Sequence, residues 1–108
     1  MSKTFEQIQN LIVHKKVRIS EHGYDRMAEN GILVRDIINN IQEAVVIEDY
    51  PDFPKGSCVL ALQHDHLQKP VHVVWGIPKG ASTPAVIVTA YRPDSGIWSD
   101  DFKRRKNE

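Results

Sequence analysis

The chain has 108 residues, a length that fits one domain and leaves no room for a second. Hydrophobic residues make up 41% and charged residues 26%, which is the composition of an ordinary globular protein and excludes disordered and fibrous classes. Because 14 basic side chains balance 14 acidic ones, no overall field attracts nucleic acid, and any site for a polyanion must be local.

Cysteine usage and the amino terminus indicate the compartment. The one cysteine, Cys58, excludes an internal disulfide and a zinc site built from several cysteines, and its apolar surroundings predict a small core residue. The first residues, MSKTFEQIQ, lack the apolar block of a secretory signal, and no apolar run approaches the roughly 20 residues that span a membrane. We therefore expect a cytoplasmic protein without a membrane partner.

Helical spacing of apolar residues dominates the first half of the chain. A first helix is predicted from a cap at Thr4 to about Lys16, and a short extended piece follows at 17–19. A second helix is predicted after a cap at Ser20, and Gly31 supplies its end.

The third helical segment carries the strongest periodic signal. Its apolar residues stand at i, i+3, i+4 and i+7: Val34, Ile37, Ile38 and Ile41. This stripe predicts a helix that continues to about Glu43.

Beyond residue 44 the pattern changes, and β-branched residues accumulate in four segments. Four strands are predicted, at 45–50, 57–63, 71–77 and 85–91. The connections are short and rich in turn-forming residues, which favours an antiparallel meander over parallel crossovers. The predicted fold class is α+β: two to three N-terminal helices packed on an antiparallel sheet of about four strands, with a C-terminal tail, in one domain over 1–108.

Histidine is the residue type to inspect for acid–base chemistry, because its ordinary pKa of about 6.5 lets it carry protons at neutral pH. His22 lies in the first turn of the second helix, where the helix dipole favours a neutral imidazole that acts as a base. Arg26, one turn later, is placed to hold a phosphate. The structural alternative is that Arg26 pairs with Glu21 or Glu29 in solvent while His22 packs against the sheet.

His72 interrupts an otherwise apolar strand, so its side chain points away from the face that its apolar neighbours form. Alternation along the following strand places four side chains on one face: Ala85, Ile87, Thr89 and Tyr91. Thr89 and Tyr91 then form a small polar group near the sheet edge. Whether His72 faces this group depends on strand register, which the sequence does not determine.

The common sequence motifs for metal binding and for nucleophilic catalysis are absent from this chain. His64, His66 and His72 supply three imidazoles for a metal in principle, but no HExxH motif or cysteine cluster accompanies them, so neither metal nor cofactor is expected. The sequence contains no GxSxG, P-loop or GxGxxG motif. Histidine with arginine remains, a combination that suits metal-free phosphodiester cleavage, because the 2′-hydroxyl of RNA serves as the nucleophile.

Five segments resemble, in order and spacing, a family of small bacterial domains of unknown function: ISEHGYDRMAENGI, VVIEDYP, PVHVVWG, VTAYRPDSGIW and DFKRRK. That family is similar to the RelE, BrnT and MqsR-like toxins, within the fold group of metal-independent ribonucleases. The resemblance covers about residues 17–106. Two positions depart from the family pattern, which commonly has a basic residue at Asn30 and a serine or threonine helix cap at Leu33.

The resemblance implies a toxin-like, metal-independent endoribonuclease with RNA and an antitoxin protein as partners. It assigns catalysis to five side chains: His22, Arg26, His72, Thr89 and Tyr91. The two histidines would share the acid and base roles, and Thr89 and Tyr91 would position the scissile phosphate. Arg26 would stabilise the phosphorane together with Arg105.

The basic run in the tail is the predicted RNA contact: Arg104, Arg105 and Lys106. Its alternative is a solvated tail without function. For the whole chain, the alternative is a non-catalytic protein-interaction module, which the neutral net charge favours because a ribonuclease must grip a polyanion. Both hypotheses are compatible with a homodimer.

Overall fold

The computed structural model describes residues 2–106, which form three helices, a 3₁₀ turn and five strands. The helical elements are α1 (Lys3–Val13), α2 (Glu21–Asn30), α3 (Val34–Asn39) and the 3₁₀ turn Ile41–Glu43. The strands are β1 (Val17–Ile19), β2 (Val45–Tyr50), β3 (Cys58–His64), β4 (Pro70–Gly76) and β5 (Ala85–Tyr91). The α+β class is therefore confirmed.

The five strands form one mixed sheet in the order β1-β5-β4-β3-β2. Strands β2 to β5 pair antiparallel in chain order, which confirms the predicted meander. The extended piece at Val17–Ile19 is a fifth strand and pairs in parallel with β5, so the prediction of an antiparallel, four-stranded sheet is wrong at this edge. Parallel pairing needs a long connection, and the chain from α2 to β4 provides one between these two strands.

The first two helices begin at serines. Ser2, not the predicted Thr4, caps α1 and accepts a hydrogen bond from the Phe5 amide at 3.0 Å. The helix ends earlier than predicted, and Lys15 beyond it has a left-handed φ of 60°. For α2 the predicted ends are confirmed, because Ser20 is the N-cap and the C-cap glycine has a φ of 64°.

The third helix is shorter than its periodicity predicted. It ends at Asn39, and the 3₁₀ turn follows. The Asn40 side chain accepts a hydrogen bond from the His64 amide at 3.1 Å, a tertiary contact that competes with continuation of the helix. Leu33 makes no side-chain capping bond, as the departure from the family pattern indicated.

All three helices pack into one core on one face of the sheet. The buried helical residues include Phe5, Ile8, Leu11 and Ile12 of α1, Met27 of α2 and Ile37 of α3. The sheet residues that meet them include Val59, Ala61, Val71, Val73, Trp75, Ala85, Ile87 and Ala90. The opposite side, which carries Leu60, His72, Val74, Val86 and Tyr91, is here called the open face.

No helix among residues 2–106 is long and apolar enough to cross a membrane.

Candidate functional site on the open face of the sheet

A β-bulge in β2 decides which of its side chains reach the open face. The register with β3 shifts between Val46 and Glu48, so that Ile47 is an extra residue. Val46 packs against the core, and after the bulge Glu48 and Tyr50 line the opposite side. A regular strand would alternate and turn both polar side chains toward the core.

A second bulge lies in β5, where the register with β4 shifts across Val88. Ala85 and Ile87 remain in the core, whereas Thr89 and Tyr91 pair with open-face residues of β4. The prediction that these four side chains share one face is therefore wrong. One extra residue reverses the alternation for the rest of the strand.

The N-terminus of α2 bonds to the backbone of this second bulge. The Ser20 amide donates to the Ile87 carbonyl at 3.0 Å, and the Ser20 hydroxyl donates to the Val88 carbonyl at 2.7 Å. The same hydroxyl oxygen accepts from the Gly23 amide at 2.9 Å. A Cβ on Gly23 would lie 2.7 Å from the Ile87 oxygen, so only glycine fits this approach.

His72 lies directly opposite Tyr91 in the sheet, which settles the register that the sequence left open. His72 Nε2 is 2.8 Å from the Phe102 carbonyl oxygen, and its Nδ1 is 3.3 Å from Tyr91 Oη. A carbonyl oxygen only accepts, so in the neutral ring Nε2 carries the proton and Nδ1 accepts from the tyrosine hydroxyl. Trp98 packs edge-on against the ring at a centroid distance of 4.4 Å.

The C-terminal tail, residues 92–106 after β5, thereby encloses His72, whose side chain is 0% exposed. Burial lowers the pKa of His72, and the nearby Arg105 guanidinium acts in the same direction. The hydrogen bond to Phe102 and the Glu48 carboxylate oppose this shift. Neutral imidazole is therefore the form that the folded protein favours.

Arg105 of the tail bridges to β2 across the open face. Its Nε lies 3.3 Å from Glu48 Oε2 and its Nη2 lies 3.5 Å from Oε1, while Tyr50 Oη donates to Oε1 at 2.8 Å. The guanidinium also lies over the Trp98 ring, 4.6 Å from its centroid. The bond to Glu48 raises the pKa of Tyr50 and also that of Arg105.

Sequence reasoning assigned no role to Glu48 or Tyr50. Both occur in the segment VVIEDYP, one of the five that carry the family resemblance. The signal in the sequence that could have identified them is the presence of polar residues at the end of an apolar strand. The bulge that turns them to the open face has no such signal, because it depends on pairing with β3.

The open face holds a cavity of about 510 Å³ among these side chains. Its floor is apolar and includes Leu60, Val74, Val86 and Val88. Its lining residues include three aromatic side chains, Tyr50, Phe53 and Tyr91. They also include three cationic side chains and one carboxylate: Arg18, Lys55, Arg105 and Glu48. In a chain of zero net charge, this cavity has a local positive excess.

Cys58 also lines the cavity and is half-buried there, so its predicted place in the core is wrong. Cys58 pairs with Tyr50 and Gly76 on the open side of β3. Burial raises the pKa of the Cys58 thiol, which makes it a poor nucleophile at neutral pH.

The predicted residues of α2 lie apart from this cluster. His22 is exposed rather than packed on the sheet, and Arg26 forms an exposed ion pair with Glu29 at 3.7 Å. Within residues 2–106, no hydrogen bond, ion pair or ring contact joins His22 to His72.

Among the other predicted residues, the structure brings His72, Tyr91 and Arg105 together. Thr89 lies beside them on the open face, opposite Val74 and half-buried. The side chains of Arg104 and Lys106 are exposed and are not among those that line the cavity. Of the basic run, Arg105 alone reaches the site.

The hypothesis of three imidazoles on one metal finds no geometric support. Residues 2–106 contain no group of three or more histidine, cysteine, aspartate or glutamate side chains placed to hold a metal ion. His66 pairs instead with Asp36 at 2.8 Å, and His72 is enclosed by the tail.

Comparison with known families decides the classification of the chain. Residues 19–92 match the family described as Domain of unknown function (DUF4258). The chain belongs to this family. The DUF4258 match includes Glu48, His72 and Tyr91, whereas α1 and the tail with Trp98 and Arg105 lie outside it. No curated protein and no solved structure matches the chain.

Proposed function

We propose that this DUF4258 protein binds single-stranded RNA on the open face and cleaves it as a toxin-like, metal-independent endoribonuclease. The cavity carries this proposal, because three cationic and three aromatic side chains surround an apolar floor. Cationic side chains bind phosphates, and aromatic rings stack on unpaired bases. The resemblance to the RelE, BrnT and MqsR-like toxins supports the same function and adds an antitoxin protein as a partner.

Cleavage requires a base for the 2′-hydroxyl and positive charge on the phosphorane. Tyr91 Oη accepts the 2′-hydroxyl proton while its own proton passes to His72 Nδ1, the nitrogen that already accepts its hydrogen bond. The 2′-oxygen attacks phosphorus, the 5′-oxygen leaves with a proton from water, and a 2′,3′-cyclic phosphate results. Arg105 stabilises the negative charge that develops.

In this mechanism the enclosed His72 acts through Tyr91 rather than by direct contact with RNA. The acid–base role of His22 and the phosphate role of Arg26 remain predictions from the sequence. His22→Ala tests the first role and Arg26→Gln the second, since cleavage that depends on either residue would require α2 to reach the substrate.

The test is cleavage of single-stranded RNA, free and ribosome-bound, by purified protein in the presence of a chelator. Tyr91→Phe should lower the rate by about 10²–10⁴-fold, the usual contribution of a proton-transfer group. The control is Arg35→Gln, which removes an exposed cation of α3 outside the cavity and should leave the rate unchanged. Intact RNA after incubation with the wild-type protein would overturn the proposal.

A non-catalytic protein-interaction module is the second candidate, and the enclosure of His72 favours it. Both ring nitrogens of His72 are bonded within the protein, and its side chain is 0% exposed. This function predicts uncut RNA together with a partner protein whose binding survives His72→Gln and Tyr91→Phe. Measuring RNA cleavage and partner binding on the same variants separates the two functions.

A further inference from the structure

The Glu48 carboxylate occupies a position that is built for an anion. Arg105 directs two N–H groups toward its two oxygens, and the Tyr50 hydroxyl donates to one of them. The Trp98 ring beneath the guanidinium holds Arg105 toward the cavity. A guanidinium fork with a hydroxyl donor matches the oxygens of a phosphate as well as those of a carboxylate.

The bond between Arg105 and Glu48 is loose enough to be exchanged. Its nitrogen–oxygen distances of 3.3 and 3.5 Å exceed the roughly 2.7–2.9 Å of a strong charge-assisted hydrogen bond. The Arg105 side chain is 46% exposed and that of Glu48 is 26% exposed, so water competes for both groups. Ion pairs of this kind contribute little to stability.

The charges around the cavity favour an incoming anion over the carboxylate. Glu48 is the one carboxylate among the lining residues, whereas Arg18 of β1 and Lys55 of the loop between β2 and β3 add positive charge elsewhere around the cavity. A phosphate that replaced Glu48 would keep the donors of Arg105 and Tyr50 and would also meet the field of the other two cations.

We propose that Arg105 and Tyr50 form a phosphate-binding site that Glu48 fills in the free protein as an internal competitor. Binding of a phosphodiester exchanges the carboxylate for the phosphate at Arg105. The identity of that phosphodiester as RNA rests on the proposed function, whereas the phosphate site itself does not. Competition from Glu48 then weakens the binding of an isolated phosphate. A nucleic-acid strand displaces Glu48 because it makes several further contacts in the cavity.

The experiment is a titration with inorganic phosphate, and separately with a single-stranded DNA oligonucleotide, which binds without being cleaved because it lacks the 2′-hydroxyl. The readout is the NMR signal of the Trp98 indole N–H, since Arg105 lies over this ring. Glu48→Gln removes the charge of the competitor and keeps its shape. It should tighten phosphate binding about fivefold.

Asp49→Asn is the matched control, because it makes the same change in net charge at the next residue of β2, which points to the other side. It should change affinity less than twofold, and adding Arg105→Gln to Glu48→Gln should abolish the gain. An equal effect of Glu48→Gln and Asp49→Asn would overturn the proposal, as would a gain that survives without Arg105. Failure of RNA cleavage would not overturn the proposal of a phosphate site, because the readout here is the binding of phosphate.

Discussion

His72 shows how the surroundings of a single residue determine its chemistry. The sequence marks it as a titratable side chain in an apolar strand. In the folded protein it faces the Tyr91 hydroxyl from β5, Phe102 and Arg105 from the tail, and Glu48 from β2. Burial has the largest effect on the pKa of His72 and lowers it. Just below pH 6.5, the unfolded chain therefore protonates this histidine more than the folded protein does.

Stability should therefore fall as the pH decreases through about 6.5, since the unfolded state then binds more protons than the native state. The slope for one group is at most about 1.4 kcal/mol per pH unit. Urea unfolding between pH 8 and pH 5 measures it. His72→Gln should lose this dependence, and His22→Gln, which changes an exposed histidine, should keep it. The same slope in His72→Gln would contradict the assignment.

At the scale of elements, α2 and the bulge of β5 form one unit. Ser20 bonds the carbonyls of Ile87 and of the bulged residue Val88, and Gly23 lies against the same carbonyls. The bulge in turn puts Tyr91 on the open face. The contact between a helix N-terminus and a strand therefore determines the composition of the site.

Gly23→Ala should destabilise the protein by roughly 1–3 kcal/mol, because the new Cβ would lie 2.7 Å from a backbone oxygen. This outcome is opposite to the gain of about 1 kcal/mol that alanine normally brings within a helix. Gly31→Ala is the comparison, since its φ of 64° strains alanine but open space surrounds the Cβ. Urea unfolding should rank Gly23→Ala as the more destabilising variant, and an increase in stability would contradict the close packing.

At the scale of the whole molecule, the folded domain includes residues on both sides of the segment that matches the family. The DUF4258 match spans residues 19–92, yet α1 outside it places Ile8 in the core at 0% exposure. On the other side of the sheet, the tail places Trp98 against His72. Both segments complete the layers that cover the sheet, so the folding unit extends beyond the family match.

Trp98→Ala should cost roughly 3–5 kcal/mol of stability, because a large buried ring is removed. It should also raise the pKa of His72 toward its ordinary value, since burial is the main cause of the lowering. Histidine NMR signals followed against pH measure the second effect. Ile97→Ala, at a neighbouring position that is 52% exposed, should change neither quantity. A His72 pKa that stays lowered in Trp98→Ala would show that the tail does not control it.

The predictions that the structure confirms depend on interactions between residues that are close in the sequence. The cap at Ser20 and the end of α2 follow from local hydrogen bonding and glycine conformation. The strands β2 to β5 lie within one residue of their predicted bounds, because β-branched segments separated by turn residues have few other conformations. Of the site, the sequence and the family resemblance singled out His72, Tyr91 and Arg105, three of the residues that meet on the open face.

Sequence by itself therefore determined the class of fold, the meander and the residue types capable of chemistry. The tertiary structure decided which face they occupy. Two bulges turn Glu48 and Tyr91 to the open face, and a returning tail encloses His72 and presents Arg105. The physical reason is that helical and strand periodicity arise between neighbours in the chain, whereas register and enclosure depend on pairing with residues 12 to 30 positions away.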